Sequence, residues 1–146
     1  MLRINVAVAV FIVNLIRGWG QTTQDPRVGE MLLAKRYQME CIEETRVDPD
    51  IIAGIKNGRW SIPWNARPLA MKWALCVMMK RGLMTKEGVY KLDVALRMVP
   101  REERDAAEKL IDSCLSPKAI PAENIAFEFI HCFQDTKSNY SVSIFI

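Results

Sequence analysis

The chain has 146 residues, half of them apolar, and a formal net charge of +3. Its basic residues form no block of the kind that grips a phosphate backbone, which excludes a nucleic-acid surface. A single histidine among so many apolar residues leaves little for general acid–base chemistry and rules out an intrinsically disordered chain.

Residues 1–20 read as a secretory signal peptide. Arg3 supplies the positive start, Val6 to Val13 is an unbroken apolar run, and Gly18-Trp19-Gly20 offers the small-x-small pattern before a cut between Gly20 and Gln21. A membrane anchor is the rival. The run is interrupted at Asn14 and falls short of the ~20 residues a span needs, so no stable membrane insertion is expected. Cleavage removes Arg3 and Arg17, leaving 18 basic side chains against 17 acidic ones, a net charge of +1. Residues 21–146 then form one secreted, extracellular domain, large enough to bury a modest core.

From Gln21 the pattern is helix after helix. Leu33, Ala34, Tyr37 and Cys41 share one face of a first helix. Asp48 is a good N-cap for a second, with Pro49 at its first position and Asp50 suited to the dipole. This short helix carries Ile51, Ile52 and Ile55 and stops at Gly58. Trp60 to Pro68 is a connecting segment, where prolines forbid regular helix and the two tryptophans, Trp60 and Trp64, plug the edge of a core.

Pro68 to Met84 is the stretch around which the rest is organised. It is apolar on nearly every side for three turns, carries Cys76 at its centre and stops at Gly82, with Lys80 and Arg81 in the last turn. That predicts an interior helix. Lys86-Glu87-Gly88 marks a loop. Leu92, Ala95, Leu96 and Val99 make a fourth helix, ending before Pro100. Ala106, Ala107, Leu110, Ile111 and Cys114 make a fifth. After a loop, Pro121 opens a sixth, with Ala126, Phe129, Ile130 and Phe133 on one face. The tail from Gln134 to Ile146 lacks helical periodicity and ends in an alternating apolar segment that is expected to tuck against the body.

All four cysteines lie after Gln21. An even count in a small secreted chain reads as two disulfides, with three connectivities open. Zinc does not suit the intervals of 34, 37 and 17 residues, which contain no CxxC-type pair. No nucleophile–base constellation emerges either. Neighbouring helical positions such as His131 and Cys132 do not face each other, and an oxidised cysteine has no thiolate to offer. Met71, Met78, Met79 and Met84 cluster in or beside the central helix. Methionines at this spacing are commonly core, yet thioethers also suit a pocket that accepts ligands of different shape.

Several stretches resemble the insect odorant-binding proteins, the pheromone and general odorant carriers. They are Cys41-Ile42-Glu43-Glu44-Thr45 followed by Val47-Asp48-Pro49, Cys76-Val77-Met78 with Gly82-Leu83-Met84, Ala95 to Pro100, and the Cys114 to Cys132 interval. Together they extend over about Met31 to Phe133. Six-cysteine members of that family have a second cysteine where this chain has Lys72 and a fifth where it has Glu123. Those two cysteines pair with each other in the family, so their joint loss removes one bridge and strands nothing, the pattern of the four-cysteine "C-minus" subclass. The resemblance implies bonds Cys41–Cys76 and Cys114–Cys132. It also implies contact between the sites of Lys72 and Glu123, which are expected to form an ion pair in place of the missing bridge.

The resemblance further implies an all-α, six-helix, disulfide-stapled bundle enclosing an apolar cavity, with no cofactor and no catalysis. By helix face and family position, the expected lining is Leu75, Met78, Met79, Leu83, Leu96, Val99, Phe127, Ile130 and Phe133. Tyr140 and Phe145 are expected lid contacts, and Tyr37 and Tyr140 the hydroxyl donors to a polar ligand head. The implied partner is a small hydrophobic ligand such as an odorant, pheromone or related lipid, with a chemosensory receptor or a second copy of the chain as further partners. The alternative from another class is a secreted, non-olfactory interaction protein, a seminal or venom component, with a filled core.

Overall fold

Six α-helices follow one another in the computed structural model, which describes residues 26–115 and 118–136. They are α1 (Pro26–Thr45), α2 (Pro49–Lys56), α3 (Arg67–Lys80), α4 (Leu92–Arg97), α5 (Arg104–Cys114) and α6 (Ala122–Asp135), with a 3₁₀ turn at Arg101–Glu103 leading into α5. Local chemistry accounts for the boundaries. The Asp48 carboxylate accepts the Asp50 backbone N–H at 2.8 Å, and Pro49 takes the first turn, where its missing N–H is not needed. At the end of α3, Gly82 takes φ +71°. Its N–H donates to the Met79 carbonyl and that of Leu83 to the Met78 carbonyl, each at 2.9 Å, the paired closure of a Schellman stop.

The centre of the molecule is α3. It packs against α1 on one side and α6 on the other, burying Ala70, Trp73, Ala74, Val77 and Met78. Apolar character all round is thus used on two faces, while Lys72 and Met79 point to solvent, Met79 being 42% exposed. On α1 the inward residues are Ala34, Gln38 and Cys41. Leu33, expected on that face, is instead 38% exposed. Gln38 takes an inner position, and its backbone carbonyl accepts the Trp73 indole N–H at 3.2 Å.

Two disulfides close the fold, Cys41–Cys76 between α1 and α3 and Cys114–Cys132 between α5 and α6. Beside the first, Lys80 of α3 reaches Glu44 at 2.8 Å and Glu40 at 3.3 Å on α1, and Arg36 holds the same Glu40 at 2.8 Å. Lys72 and Glu123 do not pair among the described residues. Lys72 is exposed, and an ammonium already in water gains little from a distant carboxylate.

The α3–α4 connection is a small hairpin. Met84 and Tyr90 pair as an antiparallel bridge, Thr85 N–H donates to the Val89 carbonyl at 2.9 Å, and Lys91 N–H to the Leu83 carbonyl at 2.8 Å. Gly88 turns it at φ +88° and lies against α6 so closely that a Cβ there would sit 2.9 Å from Ile125 Cδ1 and 3.1 Å from Ala122 Cα. Of the two loop tryptophans, Trp60 plugs the core edge as expected. Trp64 does not: the turn closed on the Pro63 carbonyl by the Ala66 and Arg67 N–H groups leaves it 87% exposed.

Candidate functional site

Helix α6 forms one wall of the apolar interior and presents aromatic rings in two directions. Toward the α2–α3 segment, Trp60 stacks on His131 with ring centres 4.2 Å apart and meets Phe127 edge-on at 5.3 Å. The Trp60 indole N–H donates to Gln134 Oε1 at 2.6 Å, and Gln134 Nε2 donates onward to the Ile55 carbonyl at 2.9 Å. Gln134, read from the sequence as the start of an irregular tail, thus ends α6 with a polar latch onto α2. The Arg67 guanidinium lies 5.3 Å above the Phe127 ring. Beside this group a cleft of about 360 Å³ opens between α2 and the connecting segment, lined by Asp50, Ile51, Gly54, Arg59, Trp60, Ser61 and Ile62.

In the other direction, Phe129 lies between Tyr90, 4.7 Å away, and Phe133, 5.8 Å away. The Tyr90 hydroxyl is shielded from solvent, and burial pushes its pKa well above the usual phenol range. The guanidinium of Arg81 is also largely buried, with Nη2 3.7 Å from the Met98 sulfur. Desolvation lowers its pKa, while Glu30 and Tyr37 favour its charge.

The expected lining residues divide into groups. Met78, Leu83, Val99, Phe127, Ile130 and Phe133 fall in one continuous buried cluster, and Leu75 and Leu96 lie half-buried against it. Tyr37 is half-buried on α1, within electrostatic reach of Arg81. Met79 lies on the solvent side of α3. Tyr140 and Phe145 lie outside the described residues. Tyr90 and Gln134 are not among the residues expected at the site. Tyr90 has one usable signal, the apolar pairs Leu83-Met84 and Val89-Tyr90 flanking a glycine turn. Gln134 has none, because its partners lie more than 70 residues away.

Among the described residues no three His, Cys, Asp or Glu side chains gather as a metal would require, and no helix is long and apolar enough to cross a membrane.

Comparison with known proteins agrees with this architecture. No curated protein matches the chain. Among the solved structures that match is the Locusta migratoria odorant-binding protein lmigOBP1. It is 19% identical, with a TM-score of 0.60 over 78% of this chain and 85% of that one, a likeness of fold. A model of the PBP/GOBP family matches residues 27–136, spanning α1 to α6. The chain is therefore a member of the PBP/GOBP family of insect odorant-binding proteins, non-catalytic binding proteins, and it carries the four-cysteine, two-disulfide pattern of the C-minus type.

Proposed function

We propose that this protein is a secreted carrier that takes up small hydrophobic molecules such as odorants, pheromones or related lipids, shields them from water and releases them unchanged. The observation that carries this reading is the family match across all six helices, since the family consists of hydrophobic-ligand carriers. The apolar cluster of α3, α4 and α6, centred on Met78, Leu83, Val99, Phe127, Ile130 and Phe133, is the region we assign to the ligand. Binding there is driven by removal of ligand surface from water, about 0.8 kcal/mol per buried CH₂. Each added methylene should therefore tighten binding by up to about fourfold until the space is full. Tyr140 and Phe145 are assigned as lid contacts, and residues 1–20 as the export signal.

Displacement of a naphthylamine dye from the oxidised protein Gln21–Ile146 tests the reading. Saturable one-site binding, displaced by long-chain alcohols in order of chain length, is the expected result. Absence of dye and ligand binding by a folded protein overturns it.

One observation favours the surface-interaction alternative. The outer face of α1 exposes Val28, Met31, Leu32 and Met39, an apolar row at helical spacing. In that case the same titration returns no binding.

A further inference from the structure

The Tyr90 hydroxyl lies in the apolar interior without a hydrogen-bond partner. It has no solvent contact and no hydrogen bond among the described residues. The ring is pinned from two sides. Its backbone is held by the Met84 bridge and by the Lys91 N–H bond to Leu83, and its ring packs tilted against that of Phe129 of α6, the ring centres 4.7 Å apart. The hairpin that carries it rests on α6 through Gly88. Folded proteins leave few buried donors unanswered, because each forfeits its bonds to water without replacement. A phenylalanine would fill this place without that loss. Burial also raises the hydroxyl's pKa, so it stays protonated and able to donate at any physiological pH.

We propose that Tyr90 is the polar anchor of the ligand site, its hydroxyl donating a hydrogen bond to an oxygen acceptor on the ligand, the hydroxyl, carbonyl or ester oxygen of an otherwise apolar chain. This rests on the carrier reading and adds a specificity to it. Tyr90 selects oxygenated ligands over hydrocarbons of the same shape, a role that the sequence reading gives to Tyr37 and Tyr140. Of these, Tyr37 is half-buried on α1.

The test compares wild type with Tyr90→Phe, using decanol and decane as competitors against a naphthylamine dye. Decanol affinity should fall about three- to tenfold in the variant, the worth of one hydrogen bond, while decane affinity holds or rises. The ligand-free variant should melt at or above the wild-type temperature, because no internal bond is lost. Equal change for both competitors, or a lower melting temperature without ligand, overturns the assignment. Tyr90→Met repeats the comparison should Tyr90→Phe not fold. If wild type binds neither dye nor competitors, the carrier reading itself fails, a result distinct from binding that ignores the hydroxyl.

Discussion

Replacing Gly88 by alanine should be among the most damaging single-methyl additions in this protein. Two costs act together. The backbone there has φ +88°, where an L side chain is strained by about 1–2 kcal/mol. The new methyl would also lie 2.9 Å from Ile125 Cδ1 and 3.1 Å from Ala122 Cα. The isoleucine tip can turn aside, but the Ala122 backbone is the first turn of α6 and cannot, and overpacking of this kind costs about 1–3 kcal/mol. Alanine restricts the unfolded chain and recovers about 0.4–1 kcal/mol. The net loss is then about 2–4 kcal/mol. Gly58 provides the control, because it has φ +78° with no atom within 4 Å of an added Cβ. Gly58→Ala should therefore cost only about 0.5–1.5 kcal/mol, from backbone strain alone. Urea unfolding of both variants at unchanged m-value measures the difference. Equal destabilisation would refute the close packing of the α3–α4 hairpin on α6, and with it the pinning of Tyr90.

The Trp60–Gln134 latch should show a coupling of about 1 kcal/mol in a double-mutant cycle of Trp60→Phe and Gln134→Leu, read by thermal melts; additive losses would remove it. Hydrogen bonds from Arg36 and Lys80 hold the Glu40 carboxyl below its ordinary value of 4.5. A carboxylate depressed in the folded state stabilises above the unfolded-state pKa, and that contribution is lost as pH falls through the folded-state value. Melts of wild type and Glu40→Gln should therefore differ at neutral pH, and the gap should close only as pH falls from 4.5 through the lower folded-state value; a gap that persists once the carboxyl is fully protonated contradicts the assignment. Removing Cys41–Cys76 should cost about 4 kcal/mol and removing Cys114–Cys132 about 3 kcal/mol, because the first closes the longer loop. Paired cysteine-to-alanine variants unfolded in urea check the order, and a larger loss for the shorter loop would count against it.

What could be read from the sequence was whatever neighbouring residues decide among themselves. Asp48-Pro49-Asp50 announces α2 because a cap is satisfied within three residues, and Gly82 announces the end of α3 because a left-handed residue is needed where the helix stops. Elsewhere the deciding partner is distant. Hydropathy ranks Leu33 above Gln38, yet it is Gln38 that lies inward, where its backbone carbonyl meets Trp73 of α3. Trp64 and Trp60 are alike in composition and surroundings, and only Trp60 has α6 above it. The Lys72–Glu123 pairing carries over a contact from relatives in which a covalent bond enforces it. Without that bond the lysine stays in water, and the charged clamp of α3 forms with Glu40 and Glu44 instead. The apolar wall of α6 was legible from its spacing, whereas the Tyr90 hydroxyl emerges only once the hairpin is folded against it.

The two bridges also define what one backbone cut would do. Residues 41–76 and 114–132 form separate covalent rings in tandem, with no overlap in sequence. A peptide bond broken anywhere from Val77 to Ser113 leaves two pieces with no covalent tie. The exposed tip of the hairpin at Lys86 and Glu87 offers such a point. Opening the chain there divides the bundle along the contact between α3 and α6, so each piece carries one bridge and one wall of the apolar interior. Once nicked, the protein would hold together, and hold its cargo, by packing alone.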